Sequence, residues 1–173
     1  MKPEQGACSG PQELEGQWTG LNGCVPGGEI YIIASRYHAE ACNSMVAAAR
    51  QSLQQAGVDQ ASVHVARVPG AWELPLAVQT VLQQPTVTAA IAIGVVIRGE
   101  TTHDEHINRA VSLELMRLGS TFRKPIGLGL LTCNNSDQVV ARTGGELGNK
   151  GQEAADAVLE MLCLIDRLQE AWR

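Results

Sequence analysis

Residues 89–97, Ala-Ala-Ile-Ala-Ile-Gly-Val-Val-Ile, carry no charge and no polar side chain. The run is far shorter than the roughly 20 residues of a membrane span. It is also apolar at every position, so it cannot be a strand with one wet face. It fits a central strand covered on both sides, the environment of a parallel sheet. Such a strand obliges the chain to supply helices for both faces.

The flanking sequence supplies them. Residues 30–34 form a second short apolar run. Cys42, Met45, Val46, Ala49, Leu53 and Ala56 then recur at helical spacing, and Gly57 follows as a helix-ending glycine. Residues 62–68 predict a strand with Val63 and Val65 alternating. Leu74, Val78, Val81 and Leu82 mark a helix that tolerates Pro75 in its first turn. Ile107, Ala110, Val111, Leu115 and Leu118 form another helical face, and residues 126–131 a fourth strand. Ser136 is expected to cap a short helix ending near Arg142. Asn149 opens the last helix, with Ala154, Val158, Met161, Leu162 and Ile165 on one side. Alternation of strands and helices predicts an α/β fold: a three-layer, doubly wound, four-stranded parallel sheet of flavodoxin-like order, with helices on both faces.

Residues 29–173 are read as one domain carrying this pattern. Residues 1–28 are rich in Gly, Pro and Gln without a period, and read as an extended or disordered arm, or one that orders on a partner subunit. They lack the basic flank and apolar stretch of a signal peptide, which points to a cytoplasmic protein. Apolar residues are 45% and charged residues 18%, a globular balance. The net charge of −5 and the lack of a basic run argue against nucleic-acid and anionic-membrane partners. The five cysteines, Cys8, Cys24, Cys42, Cys133 and Cys163, are odd in number and contain no CxxC pair. Reduced thiols are expected rather than a disulfide framework or a zinc site.

In doubly wound sheets the ligand sits beyond the carboxyl ends of the strands. Each predicted strand there runs into a group of special residues: Ser35 to His38, Val68 to Glu73, Ile97 to His103, and Thr132 to Asn135. The third group is the most informative. Gly99, Thr101, Thr102 and the start of a helix make an anion cradle, without the Lys-Ser/Thr of a P-loop. His103 at its mouth can move protons near neutral pH, or be a solvated helix residue. His103 and His106 share a helix side, but a catalytic zinc needs a third protein ligand. Tyr37 and Trp72 either sandwich a flat heterocycle or plug the sheet end. Glu73 either accepts from a hydroxylated ligand or favours a helix dipole. Arg142 and Lys150 flank a Gly-rich segment that is either a plain turn or the carrier of two cations for an anionic substrate.

Taken in order, Ser-Arg-Tyr37-His38, Val-Pro-Gly70-Ala-Trp72-Glu73-Leu-Pro, Gly94-Val-Val-Ile-Arg-Gly-Glu-Thr-Thr-His103, Gly129-Leu-Leu-Thr132, Arg142 and Gly148-Asn-Lys150-Gly closely resemble lumazine synthase, from about Ile30 to Leu164. The resemblance implies condensation of 5-amino-6-(D-ribitylamino)uracil with L-3,4-dihydroxy-2-butanone 4-phosphate to 6,7-dimethyl-8-ribityllumazine, without metal or organic cofactor. It assigns Tyr37 to pyrimidine stacking, Ala71 and Trp72 to main-chain contacts, and Glu73 to the ribityl hydroxyls. Val96 and Ile97 offer backbone groups to the uracil edge. Gly99, Glu100 and Thr101 hold the phosphate, with Arg142 as the opposing cation. His103 transfers protons, and Lys150 approaches the ribityl or pyrimidine end from the adjoining subunit. Leu128 stands where the family often has an aromatic, and His38 where it commonly has Asn.

The family assembles as pentamers, some of which build sixty-subunit icosahedral shells. The short Arg142 to Gly151 segment leans towards the shell, while Pro26 weakens docking of the arm between subunits. A catalytically weak shell, or a flavin- or pterin-binding module of the same fold, is the rival reading.

Overall fold

The computed structural model describes residues 19–20, 25 and 27–171. Four strands, β1 (Glu29–Ser35), β2 (Val63–Val68), β3 (Val87–Ile97) and β4 (Ile126–Cys133), form one sheet in the order β2-β1-β3-β4. Every pairing in it is parallel. Helices α1 (Ala39–Gln55), α2 (Leu74–Leu82), α3 (His103–Phe122), α4 (Ser136–Arg142) and α5 (Lys150–Glu170) complete the frame, with a two-stranded hairpin, β5 (Thr143–Gly145) and β6 (Gly148–Asn149), between α4 and α5.

The sheet separates two cores. Ile32, Ile91 and Ile93 pack with Met45 and Leu53 of α1 and Val158 of α5 on one face. Ile33, Ala90 and Ala92 pack with Leu74 and Val78 of α2 and Leu115 of α3 on the other. Successive side chains of one strand thus feed opposite layers, as strand geometry requires. From Val87 to Val95 every β3 residue is buried except the half-buried Thr88. This is the doubly covered central strand that the apolar run predicts. Gly127 lets α5 lie on β4: a Cβ there would stand 2.4 Å from the Ala154 carbonyl oxygen.

Several local expectations differ. β4 continues through Thr132 and Cys133, because both pair with Val96 and Ile97 of β3. Val65 is exposed, because β2 is an edge strand. Ala110 and Met161 are exposed rather than core. Asn135, not Ser136, caps α4: its side chain accepts from the Gln138 amide at 3.0 Å. Short 3₁₀ turns at Gln60–Ser62 and Ala71–Glu73 precede β2 and α2.

The expectation of an arm over residues 1–28 falls mostly outside the described residues. Thr19 and Gly20 rest on α5: the Arg167 guanidinium donates to the Thr19 carbonyl at 2.7 Å. A Cβ on Gly20 would stand 1.8 Å from the Glu160 carbonyl oxygen. Among the described residues, no helix is long and apolar enough to cross a membrane.

Candidate active site

Because the four strands run parallel, their carboxyl ends open on one edge of the sheet, and the loops leaving them are neighbours. Main-chain bonds tie them in pairs. The Arg36 amide donates to the Val68 carbonyl at 2.8 Å, and the Arg98 amide to the Cys133 carbonyl at 2.8 Å.

In the first loop the Tyr37 amide donates to Ser35 Oγ at 3.0 Å. The Cys42 thiol, one turn into α1, donates to the Tyr37 carbonyl at 3.4 Å. The Tyr37 ring meets the edge of His38 at a centroid distance of 4.7 Å. With its backbone held and the residue 67% exposed, Tyr37 presents a ring to solvent. Trp72 in the second loop is 60% exposed. Neither ring plugs the sheet end: both stand open to solvent. His38 has a left-handed backbone, φ 54°. That region is uncommon for residues other than Gly, and Asn, Asp and His are the side chains enriched in it.

The second loop is shaped by Glu73. Its Oε2 accepts from the Gly70 amide at 2.8 Å, across one 3₁₀ turn, while Oε1 takes no hydrogen bond among the described residues. Ala71 is buried beneath the loop. Ala71 and Leu74 lie against Gly94, where an added Cβ would come within 3.2 Å of Leu74 Cδ1.

The third loop leaves β3 where burial ends. Val95 is 2% exposed, Val96 and Ile97 are half-buried, and Arg98 to His103 are exposed. The N-cap of α3 is Thr102, which makes no side-chain capping bond. The first-turn amides of a 20-residue helix are therefore left to solvent or a ligand, beside Gly99 and Thr101. His103 is the first residue of that turn, and His106 is exposed one turn on. No group of three or more His, Cys, Asp or Glu side chains able to hold a metal occurs among the described residues.

At β4 the arrangement divides. Arg142 ends α4 and folds back to donate to the Gln138 carbonyl at 3.1 Å, a favourable place for a cation at a helix C-terminus. It lies close enough to the end of β4 to act on Cys133: burial pushes that thiol's pKa up and the Arg142 charge partly opposes it. A cleft of about 460 Å³ joins the loops to α4, lined by His38, Ile97, Val139, Val140 and Thr143 among others. Leu128 is not part of it. It is 54% exposed and lines a flank groove of about 740 Å³ between α3 and α5, with Leu115, Met116, Met161 and Ile165. Lys150 begins α5 and pairs with Glu153. Within one chain, then, Tyr37, Trp72, Glu73, Gly99 to Thr101 and His103 share an edge, and Leu128 stands apart from it.

The segment read as a turn between Arg142 and Lys150 is the β5–β6 hairpin, held by Ser44 and Asn149. The sequence holds no signal for Ser44. Asn149 is visible as a helix-capping residue and as part of the Gly148-Asn-Lys150-Gly motif.

The family model of 6,7-dimethyl-8-ribityllumazine synthase matches residues 27–166. The chain is 54% identical over 150 residues to the 6,7-dimethyl-8-ribityllumazine synthase of Rhodopirellula baltica, covering 87% of this chain and 97% of that protein. It is 42% identical over 137 residues to the enzyme of that name from Stenotrophomonas maltophilia strain R551-3, covering 79% and 88%. Against the one from Xanthomonas oryzae pv. oryzae strain PXO99A, identity is 41% over 143 residues, covering 83% and 93%. A match that takes in all four sheet strands, the loops at their carboxyl ends and the Arg142–Lys150 hairpin has one meaning: the chain belongs to the 6,7-dimethyl-8-ribityllumazine synthase family.

Proposed function

We infer that the chain condenses 5-amino-6-(D-ribitylamino)uracil with L-3,4-dihydroxy-2-butanone 4-phosphate, giving 6,7-dimethyl-8-ribityllumazine, phosphate and water, the penultimate step of riboflavin biosynthesis. The observation that carries this reading is the family match over residues 27–166, which spans every loop of the candidate site. The arylamine nitrogen attacks the ketone carbon, and water leaves as the imine forms. Phosphate departs by elimination, and ring closure expels a second water. No step demands a redox change, so the protein's task is to hold two reactive molecules together and move protons.

The exposed Tyr37 ring supports stacking of the pyrimidine, with Ala71 and Trp72 of the next loop lending main-chain contacts. Glu73, held by Gly70 through one oxygen, keeps the other for ribityl hydroxyls. Val96 and Ile97, where β3 emerges from burial, offer main-chain groups to the uracil edge. Gly99, Glu100, Thr101 and the uncapped start of α3 receive the phosphate, with Arg142 as counter-cation. His103 carries protons at that mouth.

Leu128, Arg142 and Lys150 complete the site of a neighbouring copy, in a closed pentamer that stands alone or joins a sixty-subunit shell. The flank groove supports this. It leaves Leu128, Met116, Met161 and Ile165 at an apolar surface that a second copy would cover. The cysteines Cys42 and Cys133, which form no disulfide, support a reducing, cytoplasmic setting.

The test is direct. Mixing the purified protein with both substrates should produce the fluorescence of the lumazine product, at a rate proportional to protein. Absence of product above the uncatalysed rate would overturn the assignment. Light scattering should give a mass of five chains or sixty, and a stable active monomer would contradict the shared site.

A further inference from the structure

Ser44, in the second turn of α1, is bound to both strands of the β5–β6 hairpin. Its hydroxyl donates to the carbonyl of Thr143, the first residue of β5. Asn149, the last residue of β6, donates from Nδ2 to Ser44 Oγ at 3.4 Å and to the Ser44 carbonyl at 3.5 Å. The Oδ1 of that amide accepts from the Gly151 amide at 2.9 Å and so caps α5. Arg142 immediately precedes Thr143, and Lys150 immediately follows Asn149. The two cations are therefore the residues just outside a clasp whose far jaw is α1.

Packing closes the clasp at the same point. A Cβ on Gly151 would stand 2.1 Å from the carbonyl oxygen of Met45, the residue after Ser44. The start of α5 is thus pressed on the α1 backbone. The hairpin also folds onto α4: a Cβ on Gly145 would stand 2.7 Å from the Val140 carbonyl oxygen. Gly144 and Gly148 have φ of 118° and 77°. A hairpin this short and rich in glycine has little stability of its own and takes its geometry from outside ties.

We propose that Ser44 and Asn149 are positioning residues that fix Arg142 and Lys150 relative to one another for substrate binding. The proposal rests on the reading that Arg142 receives the phosphate. Loss of either tie lets the hairpin move between α4 and α5. Displacement of a binding group by about 1 Å is enough to cost up to roughly 100-fold in such a site.

Two variants separate positioning from plain stability. Asn149→Asp keeps the oxygen that caps α5, since Asp and Asn are equivalent caps. It deletes the donor and sets a carboxylate against the Ser44 carbonyl. Ser44→Ala deletes the hydroxyl and favours the helix. The probes are inorganic phosphate, measured by calorimetry, and the Michaelis constant for the phosphorylated ketone, with thermal unfolding as control. Both variants should bind phosphate about tenfold more weakly and show a parallel rise in that constant, with unfolding close to wild type. Ser44→Thr, which keeps the hydroxyl, should restore most of the binding.

Unchanged phosphate binding in both variants would overturn the proposal. So would a loss of binding that only follows a loss of folded protein. Arg142→Ala serves as the reference. If it leaves phosphate binding intact, the reading of Arg142 fails and the proposal with it. If it weakens binding while Ser44→Ala and Asn149→Asp do not, that reading survives and the positioning role alone falls.

Discussion

The Gly70 amide donates to the Glu73 carboxylate at 2.8 Å, so the residue assigned to the ribityl chain also shapes the loop in front of it. The two roles can be separated. Glu73→Gln retains an oxygen for Gly70 and should unfold near the wild-type temperature, while the Michaelis constant for the ribitylaminouracil rises. Glu73→Ala loses both, and should cost about 1 kcal/mol of stability as well. Steady-state kinetics and thermal melts of the pair would check this. A Gln variant with wild-type kinetics would remove the carboxylate charge from substrate recognition.

His103→Ala should slow turnover without abolishing it. The imidazole stands at the uncapped start of α3, and general acid–base help is typically worth about 10²- to 10⁴-fold. Proximity of the two substrates is untouched by the change. Turnover equal to wild type at saturating substrate would exclude His103 from proton transfer.

Arg142→Ala should raise the Michaelis constant for the phosphorylated ketone and leave that for the pyrimidine nearly alone. If Arg142 serves the neighbour's site, this variant and His103→Ala should complement. In randomly mixed rings, half the sites have a sound first face and half of those a sound second face, so about one site in four is whole. Co-refolded rings should recover up to roughly a quarter of wild-type activity. Mixed rings no more active than the mean of the parents would show that both residues serve the site from one chain.

Cys42 is fully buried, and burial pushes its thiol from 9.0 up to about 11, with the Arg67 charge opposing the rise. In the unfolded chain the same thiol ionises near 9. Between those values the folded form holds a proton that the unfolded form has lost, so stability is full below pH 9 and falls as pH rises towards 11. The loss attributable to this group is about 2–3 kcal/mol. Urea unfolding of wild type and Cys42→Ala from pH 8 to 11 should show a steeper decline for the wild type. Parallel curves would refute the linkage.

Much of the architecture is legible in the sequence because each long element buries one recurrent face. Met45, Ala49 and Leu53 mark α1, and residues 89–97 mark a strand with no wet side. What escapes is whatever long-range contact decides. Thr132 and Cys133 read as loop until Val96 and Ile97 pair with them. Residues 143–149 show no period, and their strands exist through Ser44, about a hundred residues away in sequence. The family motifs mark the site loops, yet no local pattern foretells that His38 takes a left-handed backbone or that Leu128 lies on a flank.

Along β3 the change from sealed to open takes a single step, from Val95 to Val96. That step divides how mutations are judged in a lineage. On its inner side a replacement is accepted or rejected by volume, whatever the molecule binds. On its outer side, past the half-buried Val96 and Ile97, a replacement from Arg98 to His103 meets solvent and leaves the layered frame alone. Robustness and novelty are thus housed in different stretches of one gene. A laboratory seeking new condensation partners can randomise the outer loops and inherit an intact scaffold.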